Sequence, residues 1–241
     1  MSFLIRPFSE KDTEETDVVL RAAYRTSFGR KDNLRRYLEI PDSYALVAVE
    51  NDHVEGFGGI IDYGPFSYIG LMAADPKVQR RGIGKKILDG LLSWAYARKC
   101  PTILLSASAA GVHMYEKTGF IHDDRTDLLL RKNPQLSQTE PDISRNYYLQ
   151  EKELPHLIAF DKLHFGAERG SLLRSYYRDD PSRFLVSRDE QGRINGYLVA
   201  QERTLGPWVV TNSATAEALL SRALRFKYAD PPTVFVSERN E

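Results

Sequence analysis

A single cysteine, Cys100, occurs in the whole chain, and a lone thiol excludes both an internal disulfide and a cysteine-rich zinc site. That usage fits a reducing compartment. Net charge is also missing, because 33 Lys and Arg cancel 33 Asp and Glu. The balance excludes a polycation built for nonspecific nucleic-acid binding and leaves room only for a local basic patch. No window approaches the roughly 20 consecutive apolar residues that a membrane-spanning helix needs. The N-terminus reaches Glu10, Lys11 and Asp12 before an apolar stretch long enough for a signal peptide can develop. His53, His113, His122, His156 and His164 lack a His-x-x-x-His spacing, so no metal is expected. A Gly-x-Ser-x-Gly nucleophile elbow is absent too. These gaps predict a soluble, cytoplasmic protein without a membrane or nucleic-acid partner.

What is present is a foldable chain. With 241 residues and roughly 150 residues per domain, one large or two modest domains fit. Hydrophobic residues make up 42 %, with 13 Tyr and 11 Phe, enough bulk for a real core. A strand is expected over 5–8. Ser9 followed by Asp12 has the form of a capping box opening a helix over 11–27. A second helix, 32–39, ends before Pro41. Strands over 44–50 and 54–62 read as a hairpin bent at Gly56, Gly58 and Gly59, and a further strand covers 68–74. The strongest helix is 82–98, where Ile83, Ile87, Leu88, Leu91, Leu92 and Ala95 share one face. A buried strand over 103–106, a helix over 109–117 stopped by Gly119, and a last strand over 121–130 follow.

Periodicity then fades, and Pro134, Gln135, Ser137, Gln138 and Pro141 give residues 134–145 the composition of a linker. This divides the chain into domains 1–133 and 146–241. Beyond it the order partly repeats. Helices are expected over 154–163 and 171–177, strands over 184–187, 194–201 and 208–211, a helix over 214–225, and a strand over 233–237. A duplication explains this economically. Gly56 matches the Gly196 region with a one-residue slip, and 87–92 matches 218–223. The second copy is incomplete, since nothing after 237 answers to 109–130.

The chemistry concentrates between the strand 68–74 and the helix 82–98, in Gln79-Arg80-Arg81-Gly82-Ile83-Gly84. A strand delivering a glycine turn into a helix N-terminus leaves backbone N–H groups unpaired and pointing together, a receptor for phosphate oxygens. Lys77, Arg80, Arg81, Lys85 and Lys86 add positive charge there, and cations at a helix start oppose its dipole and so invite a counter-anion. A nucleotide P-loop fails twice, at Gln79 and Lys86, and a dinucleotide fingerprint fails at Ile87.

The six residues resemble the Gln/Arg-x-x-Gly-x-Gly/Ala pyrophosphate loop of the GNAT acetyltransferase superfamily. Ala110 to Phe120, with Tyr115-Glu116-Lys117-Thr118-Gly119-Phe120, is similar to that family's second signature, although the family usually has Asn where Ser108 stands and Ala where Gly111 stands. The resemblance covers about 5–131 and implies an α/β fold with a mixed central sheet flanked by helices. More weakly, 160–169 and Gly206-Pro207-Trp208-Val209-Val210 resemble the degenerate second module of tandem acetyltransferases. Thr211-Asn212-Ser213-Ala214-Thr215 replaces the phosphate loop there, so the second copy is expected not to bind coenzyme A.

The resemblance implies N-acetyl transfer from acetyl-CoA to a small-molecule or peptide amine. Coenzyme contacts would come from Met72, Ala73, Ala74, Gln79, Arg80, Arg81, Gly82, Ile83, Gly84, Lys85, Ser108 and Tyr115. The strand at Met72-Ala73-Ala74 would splay to pair with the pantetheine arm, its N–H near Met72 facing the thioester oxygen. Tyr115 would be the general acid, its phenol with an ordinary pKa near 10 suited to protonating a thiolate; packing against the sheet is the other role open to it. No single carboxylate is marked as a base. Glu55, Asp62 and Asp75 each read first as solvated acids, Asp75 as a cap of the turn, and a water relay would serve. Cys100 reads as an idle thiol, and Arg169 and Trp208 as an internal salt bridge and a core indole. A non-catalytic acyl-CoA sensor stays open as an alternative. The second half would shape the acceptor site or a subunit contact, which leaves a homodimer open.

Overall fold

The computed structural model describes residues 3–130, 147–228 and 230–239. These fall into two compact units that divide between Ile121 and His122.

In the first unit β1 (Leu4–Pro7) leads through a single 3-10 turn into α1 (Thr13–Tyr24) and α2 (Lys31–Glu39). Ser9 and Asp12 make the expected capping box, and Arg6 clamps Asp12 through two 2.7 Å hydrogen bonds. That clamp and the Ser9 hydrogen bonds hold the Asp12 carboxyl at about 2. Then follow β2 (Ser43–Glu50), β3 (His53–Asp62), β4 (Ser67–Ala74), α3 (Ile83–Ala97), β5 (Ile103–Leu105) and α4 (Val112–Lys117). The sheet order is β1-β2-β3-β4-β5. β4 and β5 run parallel and every other neighbouring pair antiparallel.

Alternation along β2 divides the core, because successive side chains point to opposite faces of a strand. Leu46 and Ala48 meet Ile83, Ile87, Leu88, Leu91 and Ala95 of α3. Ala45 and Val47 meet Val19, Leu20 and Leu34 of α1 and α2, with Phe8 and Phe57. Each such buried aliphatic side chain stabilises the fold by roughly 1.5–3 kcal/mol. Two hairpin glycines answer to close approach: a Cβ on Gly56 would lie 2.7 Å from Ile83, and one on Gly58 2.6 Å from Ile87.

Two expected helices are shorter than their sequence pattern. α1 stops at Tyr24 because Arg25 turns left-handed (φ 51°). α4 starts at Val112 because the Ser108 carbonyl accepts from the Gly111 and Val112 amides, which makes 108–111 a turn.

In the second unit α5 (Leu154–Phe165), α6 (Gly170–Asp179), β7 (Phe184–Arg188), β8 (Ile194–Ala200), β9 (Leu205–Val210), α7 (Ser213–Ala223) and β10 (Thr233–Ser237) repeat the order of the first. Tyr147 and Leu149 hydrogen-bond to β7 in the place of a first strand. A glycine again lies under the helix, since a Cβ on Gly196 would meet Thr215 at 2.6 Å. This sets Gly56 against Gly196 and Ile83 against Thr215, and it removes the one-residue slip.

The domain ends differ from the sequence expectation. The strand is β6, Thr126–Leu130, rather than 121–130, and it lies with the second unit, paired antiparallel with β10 from Thr126↔Ser237 to Leu130↔Thr233. The second copy therefore gains beside β10 the strand that its own sequence lacks. Sequence assigned β6 to the first domain because it follows α4 directly, and a strand's pattern does not say which edge it joins. The expected linker, 134–145, lies outside the described residues.

Candidate active site

The centre of β4 is displaced by a bulge. Phe57 pairs with Ala73 and Gly59 with Gly70, so one residue of β3, Gly58, faces two of β4, Leu71 and Met72. Leu71 takes up the extra length at φ 54°, an unusual conformation for a side chain of its size. Parallel pairing with β5 covers only Ser67 to Ile69. From Gly70 to Ala74, β4 has β3 on one side and no ladder partner on the other among the described residues. Met72, Ala73 and Ala74 thus line a strand edge without a ladder partner among the described residues, where the Met72 and Ala74 carbonyls accept from the side chains of Tyr24 and Gln79.

Beyond that edge, Asp75 caps a short 3-10 turn by accepting from the Lys77 amide at 2.8 Å, and Gln79 Nε2 reaches back to the Ala74 carbonyl at 3.3 Å. Arg80 (φ 65°) and Gly82 (φ 84°) both turn left-handed, which swings the chain into α3. Gly82 is the N-cap residue and supplies no side-chain hydrogen bond, so the first-turn amides stay open to a ligand. Nothing lies within 4 Å of a Cβ built on Gly82, whereas one on Gly84 would touch Met114 Sδ at 3.4 Å. Gly82 is thus favoured by its backbone angle, whereas a Cβ at Gly84 would make only ordinary contact with Met114.

The five cations around this turn are not equivalent. Arg81 makes a two-pronged ion pair with Glu50 at 2.6 and 2.8 Å, which lowers the Glu50 carboxyl and raises the Arg81 guanidinium. Lys85 pairs with Asp89 at 2.6 Å, and Lys86 lies 4.5 Å from the ring centre of Phe3. Lys77 and Arg80 have no ion pair among the described residues. Of the basic side chains read from sequence, these two stay available to an anion, and Arg81 and Lys85 are already engaged.

Tyr115, on α4, is 7 % exposed and meets Phe120 edge-on at 5.9 Å. A Cβ on Gly111 would come within 3.0 Å of its ring, so the glycine standing where alanine is usual makes room for the phenol. Burial pushes the Tyr115 hydroxyl up to about 12, and the nearby phenols of Tyr24 and Tyr68 add to the rise. Ser108 sits at the surface, its carbonyl closing the turn before α4.

Tyr24 and Tyr68 join Tyr115 at this place, and sequence gave no sign of them. Tyr24 donates from its hydroxyl to the Met72 carbonyl at 3.2 Å. Burial raises its pKa, opposed by Arg30, whose guanidinium lies 5.7 Å from the Tyr24 ring centre. Burial also raises Tyr68, opposed by hydrogen bonds from the Ser106 backbone and side chain. Three tyrosines scattered through 92 positions carry no spacing signal; only the sheet gathers them.

The candidate bases separate cleanly. Asp62 is taken by Arg98 at 2.9 Å and by the Gly64 amide, and Asp75 is the turn cap. Glu55 has no partner among the described residues; burial raises its pKa, helped by Asp75 and Glu50. Its electrostatic neighbours belong to the phosphate-loop side and include none of the three phenols. Cys100 is held by the Ser67 hydroxyl at 3.0 Å. Among the described residues no group of His, Cys, Asp and Glu is arranged to hold a metal ion, and no helix is long and apolar enough to cross a membrane.

The second unit lacks the open helix start. Asn212 accepts the Thr215 amide at 2.8 Å and so caps α7 with its own side chain. Arg169 is the internal salt bridge anticipated for it, with Asp161 at 2.8 Å, and Trp208 packs against the second unit's core.

The family model described as "Acetyltransferase (GNAT) family" matches residues 4–120, and a second, "Acetyltransferase (GNAT) domain", matches residues 157–238. The N-acetyltransferase YitH of Bacillus subtilis, itself uncharacterized, is 24 % identical over 174 residues, covering 68 % of this chain and 58 % of YitH. This chain therefore spans less than two thirds of that relative's length. A proposed acetyltransferase from Pyrococcus horikoshii, solved as a crystal structure, superposes with a TM-score of 0.80 at 26 % identity, over 99 % of this chain and 80 % of that one. A GCN5-related N-acetyltransferase from Sphaerobacter thermophilus shares the fold at a TM-score of 0.65 and 13 % identity, over 99 % and 88 % of the two chains.

Proposed function

Because both copies in this chain belong to the GNAT acetyltransferase family, we propose that the first copy is an N-acetyltransferase that moves the acetyl group of acetyl-CoA to a primary amine, and that the second copy binds no coenzyme. One contrast carries this reading. α3 begins at a glycine with its amides uncapped, next to an open strand edge, whereas Asn212 closes the matching helix start in the second copy. Helix N-termini of the first kind favour phosphate oxygens. The exposed, unpaired Arg80 and Lys77 add charge at the same turn, and Met72 to Ala74 offer main-chain partners to the amides of a pantetheine arm.

The chemistry needs an uncharged amine held against the thioester carbon. As the C–N bond forms and the C–S bond breaks, the Met72 N–H faces the oxygen on which charge grows. The Tyr115 hydroxyl gives its proton to the departing sulfur. Burial keeps that phenol protonated and so available to the departing sulfur, while the raised value makes it a weaker acid than a free phenol. The proton of the new ammonium leaves through water, since Asp62 and Asp75 are engaged and Glu55 has no phenol of the site among its electrostatic neighbours. A reducing, cytoplasmic setting fits the single cysteine.

Titration of released thiol during incubation with acetyl-CoA and a panel of primary amines tests this. Turnover is expected on at least one amine. Tight coenzyme A binding with no turnover on any amine would instead favour a sensor. Failure of coenzyme A to bind, or its full retention after glutamate replaces both Gly82 and Gly84, would overturn the assignment of the site.

A further inference from the structure

We propose that the acceptor is a primary amine that also carries an anionic group, carboxylate or phosphate, and that Arg30 holds this group. The inference rests on the acetyltransferase reading above and names the acceptor class of that same site.

Position comes first. The Arg30 guanidinium lies 5.7 Å from the Tyr24 ring centre, and the Tyr24 hydroxyl reaches the Met72 carbonyl, so one tyrosine side chain separates Arg30 from the open strand where the thioester would lie. Its charge is uncompensated. Arg30 is half-buried, its Nε is shut off from solvent without a hydrogen-bond partner, and no carboxylate pairs with it among the described residues. Four other arginines of this unit are matched, Arg6 with Asp12, Arg21 with Asp17, Arg81 with Glu50 and Arg98 with Asp62, whereas Arg25 and Arg80, which are exposed, have no ion pair among the described residues. Asp17, whose carboxylate accepts from the backbone amide of Arg30, pairs with the Arg21 guanidinium.

A partly desolvated guanidinium without a counter-charge costs free energy until an anion reaches it. Its planar fork suits carboxylate and phosphate alike. The exposed Arg25 directly follows Tyr24. Arg30 opposes the rise of the Tyr24 phenol, and no carboxylate among the described residues contributes to the shift of Tyr24, Tyr68 or Tyr115. A polyamine or other multiply cationic acceptor would meet repulsion here with nothing to offset it.

The test begins with calorimetry of coenzyme A binding, because loss of that binding would remove the acetyltransferase reading itself. Protein saturated with coenzyme A, its phosphate loop thus occupied, is then titrated separately with inorganic phosphate, acetate and spermidine. Phosphate or acetate is expected to bind, the stronger of the two identifying the anion, and spermidine is expected not to. Arg30→Gln should weaken that anion about tenfold or more, the scale of one charged hydrogen bond, with coenzyme A affinity within about twofold of wild type as the control for folding. Arg30→Lys should recover part of the loss. In thiol-release assays β-alanine should exceed propylamine, or phosphoethanolamine exceed ethanolamine, through KM rather than kcat. Binding of spermidine without either anion, absence of anion binding to the coenzyme-saturated protein, or anion binding indifferent to Arg30→Gln would each overturn the proposal and leave the acetyltransferase reading standing.

Discussion

The hydroxyl of Tyr24 donates to the carbonyl oxygen of Met72 at 3.2 Å, tying the last residue of α1 to the bulged centre of β4. The bond fixes the strand just where Leu71 has turned left-handed, so its loss should loosen the aim of the Met72 main chain more than it unfolds the protein. A neutral hydrogen bond has a net worth of about 0.5–1.5 kcal/mol. Tyr24→Phe is therefore expected to lower kcat by roughly twofold to tenfold with little change in melting temperature. An unaltered kcat would remove Tyr24 from the positioning of Met72.

Two glycines should respond to one methyl group for different reasons. At Gly58 an added Cβ would strike Met72 and lie 2.6 Å from Ile87, and such overpacking typically costs about 1–3 kcal/mol. At Gly82 the methyl meets nothing within 4 Å, and the left-handed backbone alone costs roughly 1–2 kcal/mol. Both alanine variants should lose stability in urea titrations. The Gly58 variant should also distort β4, whereas Gly82→Ala leaves β4 alone but strains the turn proposed to receive the phosphates, so both should raise KM for acetyl-CoA by different routes. An unchanged KM in either variant would contradict this.

Burial of Tyr115 has a consequence at alkaline pH. Its hydroxyl titrates near 10 when unfolded and at about 12 in the folded chain. The raised value means that the folded state keeps the proton longer, so the stabilisation is complete below about pH 10 and is lost as pH rises toward 12. The slope from this group is at most about 1.4 kcal/mol per pH unit. Tyr115→Phe should flatten the fall of unfolding free energy across that window, and a curve of unchanged steepness would deny the shift. For catalysis the same value keeps the proposed acid protonated at every pH below about 11.

Much of the first unit was legible because its signals are local. The capping box at Ser9 and Asp12, the apolar face of α3 and the glycine turn before it are each written within a few residues. What escaped depends on the sheet. Tyr24, Tyr68 and Arg30 come together only because α1, α2 and β4 pack on one another, and no periodicity marks them. The five cations near Gly82 looked alike in sequence; their partners Glu50 and Phe3, far off in the chain, divide them. The destination of β6 was equally hidden, since alternation identifies a strand but not its neighbour.

Glu55 offers a test of where the amine proton goes. Burial, Asp75 and Glu50 all raise its pKa, which is the behaviour often sought in a general base. Its surroundings, however, are the acids and Arg81 of the phosphate-loop side rather than the phenols. Glu55→Gln should leave kcat within about twofold and leave the acidic limb of the pH–rate profile in place. A drop of a hundredfold or more, the scale of a lost general base, would make Glu55 the base and dispose of the water route.

The second unit carries its own buried polar cluster, and its role can be separated from catalysis. The Tyr197 hydroxyl donates to Asp161 at 2.6 Å. Arg169 donates to both Asp161 oxygens at 2.8 and 2.9 Å and to the Tyr197 oxygen at 2.8 Å, while stacking over Phe165. Asp161 is 1 % and Tyr197 0 % exposed, so the carboxylate depends wholly on these partners for its solvation. Arg169→Met removes one member and strands a buried charge, a change that typically costs about 3–5 kcal/mol. Tyr197→Phe removes two hydrogen bonds, to Asp161 and from Arg169, but keeps the ion pair, so it should cost less. Pairing Arg169→Met with Asp161→Leu deletes the charge along with its partner and should recover much of the loss. The expected order of urea midpoints is thus Tyr197→Phe above the double variant, and the double variant above Arg169→Met. Coenzyme A binding, which belongs to the first unit in this reading, should stay unchanged wherever the second unit remains folded. A double variant no more stable than Arg169→Met alone would mean that Asp161 serves the fold by more than balancing one arginine.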